Sequence, residues 1–298
     1  MHGGVFSIGG SGIVRHSVFE QVKRWEKEGT SLVYGEAGPA DAPALVLLHA
    51  IRNTNMLFAG IVPELAKRYR VLAVDLRGHG GSAKEGPYTF EQIVEDVAEW
   101  LVAEQIRPLA LVAASFSAVP AQMLVVRLPD QIRSVVLLDG GYYRLGEVPG
   151  FDLISTVERL ANTRFDSVEE AESLFAIRYG KGGLPDGWMT KELVEREAGR
   201  YGYALPKEAF YGYFQSYSSF DAAELFRSIH CPLLLLLADE KHISDEEQRA
   251  FYRKAARSFQ EMVKHSKVST ISGSQHLLTV TNPRETIDEI LRFFHDLA

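Results

Sequence analysis

Between residues 44 and 139 the chain alternates short, wholly apolar runs with segments whose apolar residues recur at helical spacing, and nothing else in it constrains the fold as strongly. ALVLLHA (44–50), VLAVDL (71–76), LALVAA (109–114) and SVVLLD (134–139) are the apolar runs. A run with no polar alternation is a strand covered on both faces, and strands separated by helices pair in parallel. MLFAGIVPELAKRY and TFEQIVEDVAEWLVAEQ are predicted helices between them, the second opened by Thr89 as N-cap with Gln92 three residues on. A further helix is expected beyond Ser117. VKRWEKEG and TSLVYGEAG read as two leading strands forming a hairpin.

The rhythm changes after Gly141. From 142 to 229 the sequence shows helical patterns and turns (FDLISTVERLAN, SVEEAESLFAIRY, TKELVEREAG, PKEAFYGYFQSY) but no buried strand. Eight of the twelve tyrosines fall between Tyr142 and Tyr217. Strand rhythm then resumes with CPLLLLLAD, helix SDEEQRAFYRKAARSF, strand KVSTIS and helix RETIDEILRFFHDL. A helical insertion between two strands of one sheet is read as a lid. The expected organisation is a core of residues 1–141 and 230–298, in which the glycine-rich 1–18 form a flexible arm, with a helical cap over 142–229. No internal repeat or low-complexity tract is present.

Composition removes several classes of function. The net charge is −7 and no basic stripe interrupts the chain, which argues against a nucleic-acid partner, because neutralising phosphates needs clustered Lys and Arg. The single cysteine, Cys231, cannot form an intramolecular disulfide. With no signal-peptide pattern at the N-terminus and no apolar stretch long enough to span a bilayer, the expectation is a cytoplasmic protein without membrane contact. One cysteine and dispersed histidines give no metal-ligand spacing, and RGHGGS lacks the lysine of a P-loop and the G-x-G-x-x-G spacing, so it reads as a turn. No cofactor is expected, and the oligomeric state is not legible.

Four landmarks occur in order along the sheet pattern: LLHA after the third strand, DLRGHGGS after the fourth, AASFS where a strand runs directly into a helix, and SGSQHLLTVTNP near the end. In that order they resemble the α/β-hydrolase superfamily, in its cap-bearing serine hydrolase branch, over nearly the whole chain from about residue 20. The resemblance implies an α/β-hydrolase fold: a mostly parallel central sheet flanked by helices, with a helical cap inserted after the sixth strand.

It also implies site residues. AASFS stands where a G-x-S-x-G nucleophile elbow belongs, so Ser115 matches the nucleophile. The residues two before and two after it approach neighbouring backbone, and glycine is favoured there; Ala113 and Ser117 are among the smallest substitutes. The competing reading makes Ser117 a helix N-cap and Ser115 a strand-end hydroxyl, although a capping Ser117 does not exclude a nucleophilic Ser115. His276 matches the family's histidine, and imidazole suits a base that takes the serine proton and returns it to a leaving group. His49 and His79 are expected to brace loops. The acid is open. In most relatives it follows the seventh strand in a pattern like G-E-x-D, but the ungapped match, Ala238-Asp239-Glu240-Lys241, puts lysine at the usual place. Some members carry the acid at the end of the sixth strand, which here is Asp139; Asp239 is the main alternative and Asp245 the next. The backbone N–H groups of Ile51 and Phe116 match the oxyanion hole. Arg52 can reach an anionic substrate group, with a surface salt bridge as the competing reading.

The expected activity is hydrolysis of a small ester, thioester, lactone or related carbonyl substrate through an acyl-serine intermediate. Carbon–carbon bond hydrolysis and release of an N-terminal residue belong to the same fold. A serine at the elbow argues against the branches that attack with a carboxylate. The rival class is a hydrolase-fold protein that binds a small ligand and signals with weak or no turnover. Tyr201, Tyr203, Tyr211 and Tyr213 are expected in the substrate pocket.

Overall fold

Residues 18–106 and 109–297 are described by a computed structural model. The arm assigned to residues 1–18 lies outside them except for Val18, which packs against the core. Ten strands are present among the described residues: β1 (Gln21–Lys27), β2 (Thr30–Ala37), β3 (Ala44–Leu48), β4 (Arg70–Asp75), β5 (Leu109–Ala114), β6 (Ile132–Leu138), β7 (Leu193–Glu197), β8 (Arg200–Tyr203), β9 (Leu233–Ala238) and β10 (Ser266–Ile271). Eight form one sheet in the order β1-β2-β4-β3-β5-β6-β9-β10. β1 and β2 pair antiparallel, as do β2 and β4, and every other neighbour in that sheet is parallel.

The burial pattern explains why the apolar runs carry no alternation. All five residues of β3 are buried, and Leu48 pairs with Val74 of β4 on one side and Ala113 of β5 on the other. Both faces of these strands are covered, and each fully buried Leu or Val contributes about 1.5–3 kcal/mol. One face packs under helix Phe90–Ala103, which buries Phe90, Ile93, Val97, Trp100 and Leu101, and under Ala118–Arg127. The opposite face is covered by the C-terminal helix Pro283–Asp296. Thr89 caps its helix as expected, accepting from Gln92 N at 3.2 Å.

Two expected helices are corrected. MLFAGIVPELAKRY is not one helix but a 3-10 turn, Asn55–Phe58, followed by the short Val62–Leu65. Pro63 stands in the first turn of the latter: with no N–H to give, proline starts a helix there instead of continuing one. TKELVEREAG is not helical. It becomes a 3-10 turn, Trp188–Lys191, and strand β7, which pairs antiparallel with β8. A partner elsewhere in the chain stabilises this hairpin: Phe165 and Tyr201 exchange both backbone hydrogen bonds at 2.8 Å. The stretch between β6 and β9 therefore holds helices Leu153–Ala161, Val168–Tyr179, Lys207–Ser219 and Ala222–Arg227 together with a two-stranded hairpin.

Candidate active site

β5 ends at Ala114 and the chain turns at once into 3-10 turn Ser115–Ser117 and helix Ala118–Arg127. Ser115 carries the bend with φ of 57°, in the left-handed region that residues other than glycine rarely occupy. Such strain persists only where surrounding packing over-determines it, and it clusters at functional sites. Part of that packing is Gly140: a Cβ there would lie 2.3 Å from the Ser115 carbonyl oxygen, so the end of β6 can pass the turn only without a side chain.

Ser117 occupies the N-cap position but makes no capping bond. Its fully buried hydroxyl lies 2.8 Å from the Leu48 carbonyl and 3.0 Å from that of Ala114, tying β3 to the elbow. Where a glycine would merely avoid a clash, serine here supplies a cross-strand brace. Ala113 is also fully buried, and the turn accommodates both.

Three sequence-selected side chains meet at this turn. His276 Nε2 lies 2.9 Å from Ser115 Oγ, and His276 Nδ1 lies 2.7 Å from Asp139 Oδ2. Asp139 follows β6 with φ of 49°, and its Oδ1 accepts from Ala238 N at 3.0 Å, which fixes the carboxylate against β9. Both alternative carboxylates point elsewhere. Asp239 accepts from Lys241 N at 3.0 Å and Gly273 N at 2.9 Å, and these bonds hold it below the ordinary aspartate range. Asp245 caps helix Glu246–Met262 through Gln248 N at 3.0 Å.

The segment after β3 is stapled to the turn after β4 by buried side chains. His49 Nδ1 donates to Ala50 O at 2.8 Å and its Nε2 accepts from Leu76 N at 3.0 Å. His79 Nδ1 donates to Arg77 O at 3.0 Å while Nε2 accepts from Arg52 N at 3.3 Å. Burial depresses both imidazoles, and His49 depresses His79 further, so both are neutral and able to accept. Asp75 completes the staple, accepting from Asn55 N at 2.8 Å and Gly81 N at 2.9 Å. These contacts set the path of the Ile51 backbone beside Ser115.

A cavity of about 190 Å³ opens at Ser115 and His276. Ile51, Arg52 and Asn53 line it from the loop after β3; Phe165, Glu192 and Tyr203 line it from the inserted segment. Glu192 was not selected from the sequence. It is 3% exposed and accepts from Thr54 N at 2.9 Å and from Asn53 Nδ2 at 3.3–3.4 Å, and burial pushes its carboxyl well above the usual range. No local motif marks it, since its partners lie in a distant loop. Of the four tyrosines expected in the pocket, only Tyr203 lines this cavity. Tyr213 is fully buried in the core with its hydroxyl donating to Arg77 O at 2.8 Å, and Tyr211 is exposed. A second cavity, of about 750 Å³, lies against the other side of the Asp139–His276 pair and shares Arg178 with the first. Among the described residues no cluster of three His, Cys, Asp or Glu side chains is placed to hold a metal ion, and no helix is long and apolar enough to cross a membrane.

The fold and this arrangement define a class, and comparison with known proteins places the chain within it. The model of the alpha/beta hydrolase family matches residues 45–289, and the chain belongs to that family. Proline iminopeptidase PfmaB of Pestalotiopsis fici is similar at 34% identity over 117 residues, 38% of this chain and 41% of the fungal protein. The chain thus spans less than half the length of that curated relative. The uncharacterized carboxylesterase nap of Bacillus subtilis is 23% identical over 87% of this chain and 81% of its own. Among solved structures, E-2-(acetamidomethylene)succinate hydrolase superposes with a TM-score of 0.76 at 21% identity, covering 92% of this chain and 99% of that one, which is a likeness of fold.

Proposed function

We propose that this chain is a serine hydrolase acting through an acyl-serine intermediate on a small ester, thioester, lactone or related carbonyl compound. The observation that carries the reading is the continuous hydrogen-bonded chain from Asp139 through His276 to Ser115, at 2.7 and 2.9 Å. Ser115 Oγ attacks the carbonyl carbon as His276 Nε2 takes the hydroxyl proton, and the carbonyl π pair moves onto its oxygen. The Ile51 and Phe116 backbone N–H groups receive that oxyanion. Asp139 holds the proton-bearing Nδ1 towards itself, which leaves Nε2 free to accept, and it stabilises the imidazolium that forms. Collapse expels the leaving group with the proton from Nε2. Water then repeats the sequence on the acyl-serine, with His276 as base, and releases the acid.

The segment 142–229 acts as a cap in this reading, since Phe165, Glu192 and Tyr203 supply walls that the core sheet lacks. A cavity of about 190 Å³ is small beside ordinary ligand pockets of roughly 300–1,000 Å³, in keeping with a short acyl group. The names of the relatives (an iminopeptidase, a carboxylesterase, a substituted-succinate hydrolase) differ in substrate and share hydrolysis.

The test is covalent labelling. A fluorophosphonate probe should phosphonylate Ser115, located by mass spectrometry of the labelled peptide, and Ser115→Ala should remove the label while keeping the thermal transition. Absence of label on the wild-type protein would instead support the ligand-binding alternative, in which the fold is kept without turnover.

A further inference from the structure

The cavity beside Ser115 is lined by two guanidinium groups, Arg52 and Arg178, in a chain whose net charge is −7. Arg52 Nη1 donates to the Tyr203 hydroxyl at 2.9 Å, and its guanidinium carbon lies 5.0 Å from the centre of the same ring. Arg178 stands 5.0 Å from the Tyr179 ring and lines both cavities. Among the described residues neither guanidinium has a carboxylate within ion-pairing distance. Among the described residues the other arginines that are not exposed are ion-paired, Arg77 with Asp96 and Arg70 with Glu36 for instance, whereas several exposed ones such as Arg68 and Arg133 are not. The surface salt bridge that would explain Arg52 trivially is not made.

Glu192 is the one carboxylate side chain among the residues lining this cavity; it attracts the Arg52 guanidinium electrostatically but is not ion-paired with it. Its oxygens are taken up by Thr54 N and Asn53 Nδ2, and burial pushes its carboxyl well above the ordinary range against the pull of those donors and of Arg52. Arg52 is also placed at a cost. Its φ of 71° lies in the left-handed region, where a residue with a side chain is held only at an expense on the order of 1–3 kcal/mol, and the His79 ring accepts its N–H. Glycine would remove that strain; arginine keeps a cation one residue from the Ile51 amide. With only one N–H used on Tyr203, the remaining donors of the fork are free for a ligand, and the Tyr203 hydroxyl keeps its own proton to donate.

We propose that Arg52 and the Tyr203 hydroxyl form a carboxylate subsite, so that the substrate bears a carboxylate a few bonds from the scissile carbonyl. Half-esters and other mono-acyl derivatives of short dicarboxylic acids fit this description, as do short acyl esters whose leaving group is a hydroxy acid. The guanidinium fork matches a carboxylate in two parallel hydrogen bonds, and Arg178 at the rim adds a favourable field for anions entering the cavity. This inference rests on the serine hydrolase reading above, because it names the substrate class of that same site.

The experiment compares kcat/KM for p-nitrophenyl butyrate with that for mono-p-nitrophenyl succinate and glutarate, and for phenyl butyrate with that for 4-carboxyphenyl butyrate. A charge-assisted contact of roughly 1.5–3 kcal/mol predicts that the anionic member of at least one pair is preferred by about 10- to 100-fold. That ratio should collapse towards one in Arg52→Gln, survive in part in Arg52→Lys, and shrink with added salt. Because Arg52→Gln also releases Tyr203, thermal melting accompanies the kinetics, and the lysine variant separates charge from folding. An independent readout is binding: glutarate should slow fluorophosphonate labelling of Ser115 and butyramide should not. If neutral esters are turned over at Ser115 with no preference for an anion on either side and no protection by glutarate, the subsite is refuted and the hydrolase reading stands. If the preference is present but unchanged in Arg52→Gln, the assignment to Arg52 is refuted. Failure of Ser115 to label at all would overturn the hydrolase reading, and the subsite with it.

Discussion

Replacing Asp139 with asparagine isolates one charge at the site while leaving its shape intact. Asp139 uses both oxygens: Oδ2 faces His276 Nδ1 at 2.7 Å and Oδ1 accepts from Ala238 N at 3.0 Å. An asparagine can satisfy only one of these as an acceptor. The Ala238 amide has no alternative tautomer and the imidazole does, so the side-chain oxygen of the variant should keep the Ala238 bond and turn its NH2 towards Nδ1. The histidine then carries its proton on Nε2, pointing at Ser115, and can no longer accept the hydroxyl proton. The loss expected is about 10⁴-fold in kcat, which at 1.36 kcal/mol per decade is roughly 5.4 kcal/mol of barrier. Folding should change far less. The φ of 49° is one that asparagine tolerates, and one bond to β9 survives, so a loss of about 1 kcal/mol, a few degrees in Tm, is expected. Steady-state hydrolysis of p-nitrophenyl butyrate, with calorimetry on the same samples, measures both. Asp239→Asn is the control, because its carboxylate serves Lys241 N and Gly273 N and does not touch His276. Should Asp139→Asn stay within tenfold of wild type, or Asp239→Asn lose as much, the reasoning is refuted.

Ser117→Ala should cost about 1 kcal/mol in chemical denaturation through the lost bond to the Leu48 and Ala114 carbonyls, with activity kept within about tenfold; a well-folded variant without activity would count against Ser115 as nucleophile. Gly140→Ala places a methyl group 2.3 Å from the Ser115 carbonyl oxygen, so both Tm and Ser115 labelling should fall together; wild-type behaviour in both would show that the turn yields at no cost. Burial raises the Glu192 carboxyl in the folded protein above its ordinary 4.5, so the folded state binds more protons than the unfolded state over the interval above that value. Stability must therefore fall as pH rises from about 4.5 through the folded-state value, and Glu192→Gln should flatten that fall; urea midpoints measured across the same pH range would contradict this if wild type and variant ran parallel.

Much of the fold was legible because its signal is local. The runs ALVLLHA, VLAVDL and CPLLLLLAD read as buried strands, and they contain β3, most of β4 and β9, since strands covered by helices need no polar alternation. The resemblance of the four ordered landmarks to the α/β-hydrolase pattern pointed to Ser115 and His276 and left the acid open among Asp139, Asp239 and Asp245. The hairpin β7–β8 was not legible. Its pairing with Phe165 is set by a segment some thirty residues away, and a short charged stretch such as LVERE has no period strong enough to override that. Glu192 was invisible for the same reason, as its burial exists only when the inserted segment closes on Thr54 and Asn53.

The choice among carboxylates divides the two sources of information most clearly. From the sequence alone, Asp139, Asp239 and Asp245 all lie near strand or helix ends, and any of them is a carboxylate of the right chemistry. The parallel pairing of β6 with β9 and the turn after β10 bring Asp139 within 2.7 Å of His276, while Asp239 is spent on the amides of Lys241 and Gly273 and Asp245 on that of Gln248. The sequence determines which strands are buried and in what order their ends carry polar groups, because burial and periodicity are properties of a few consecutive residues. Which of those groups meet is decided by the register and twist of the assembled sheet, and that is a property of pairs of residues more than a hundred positions apart.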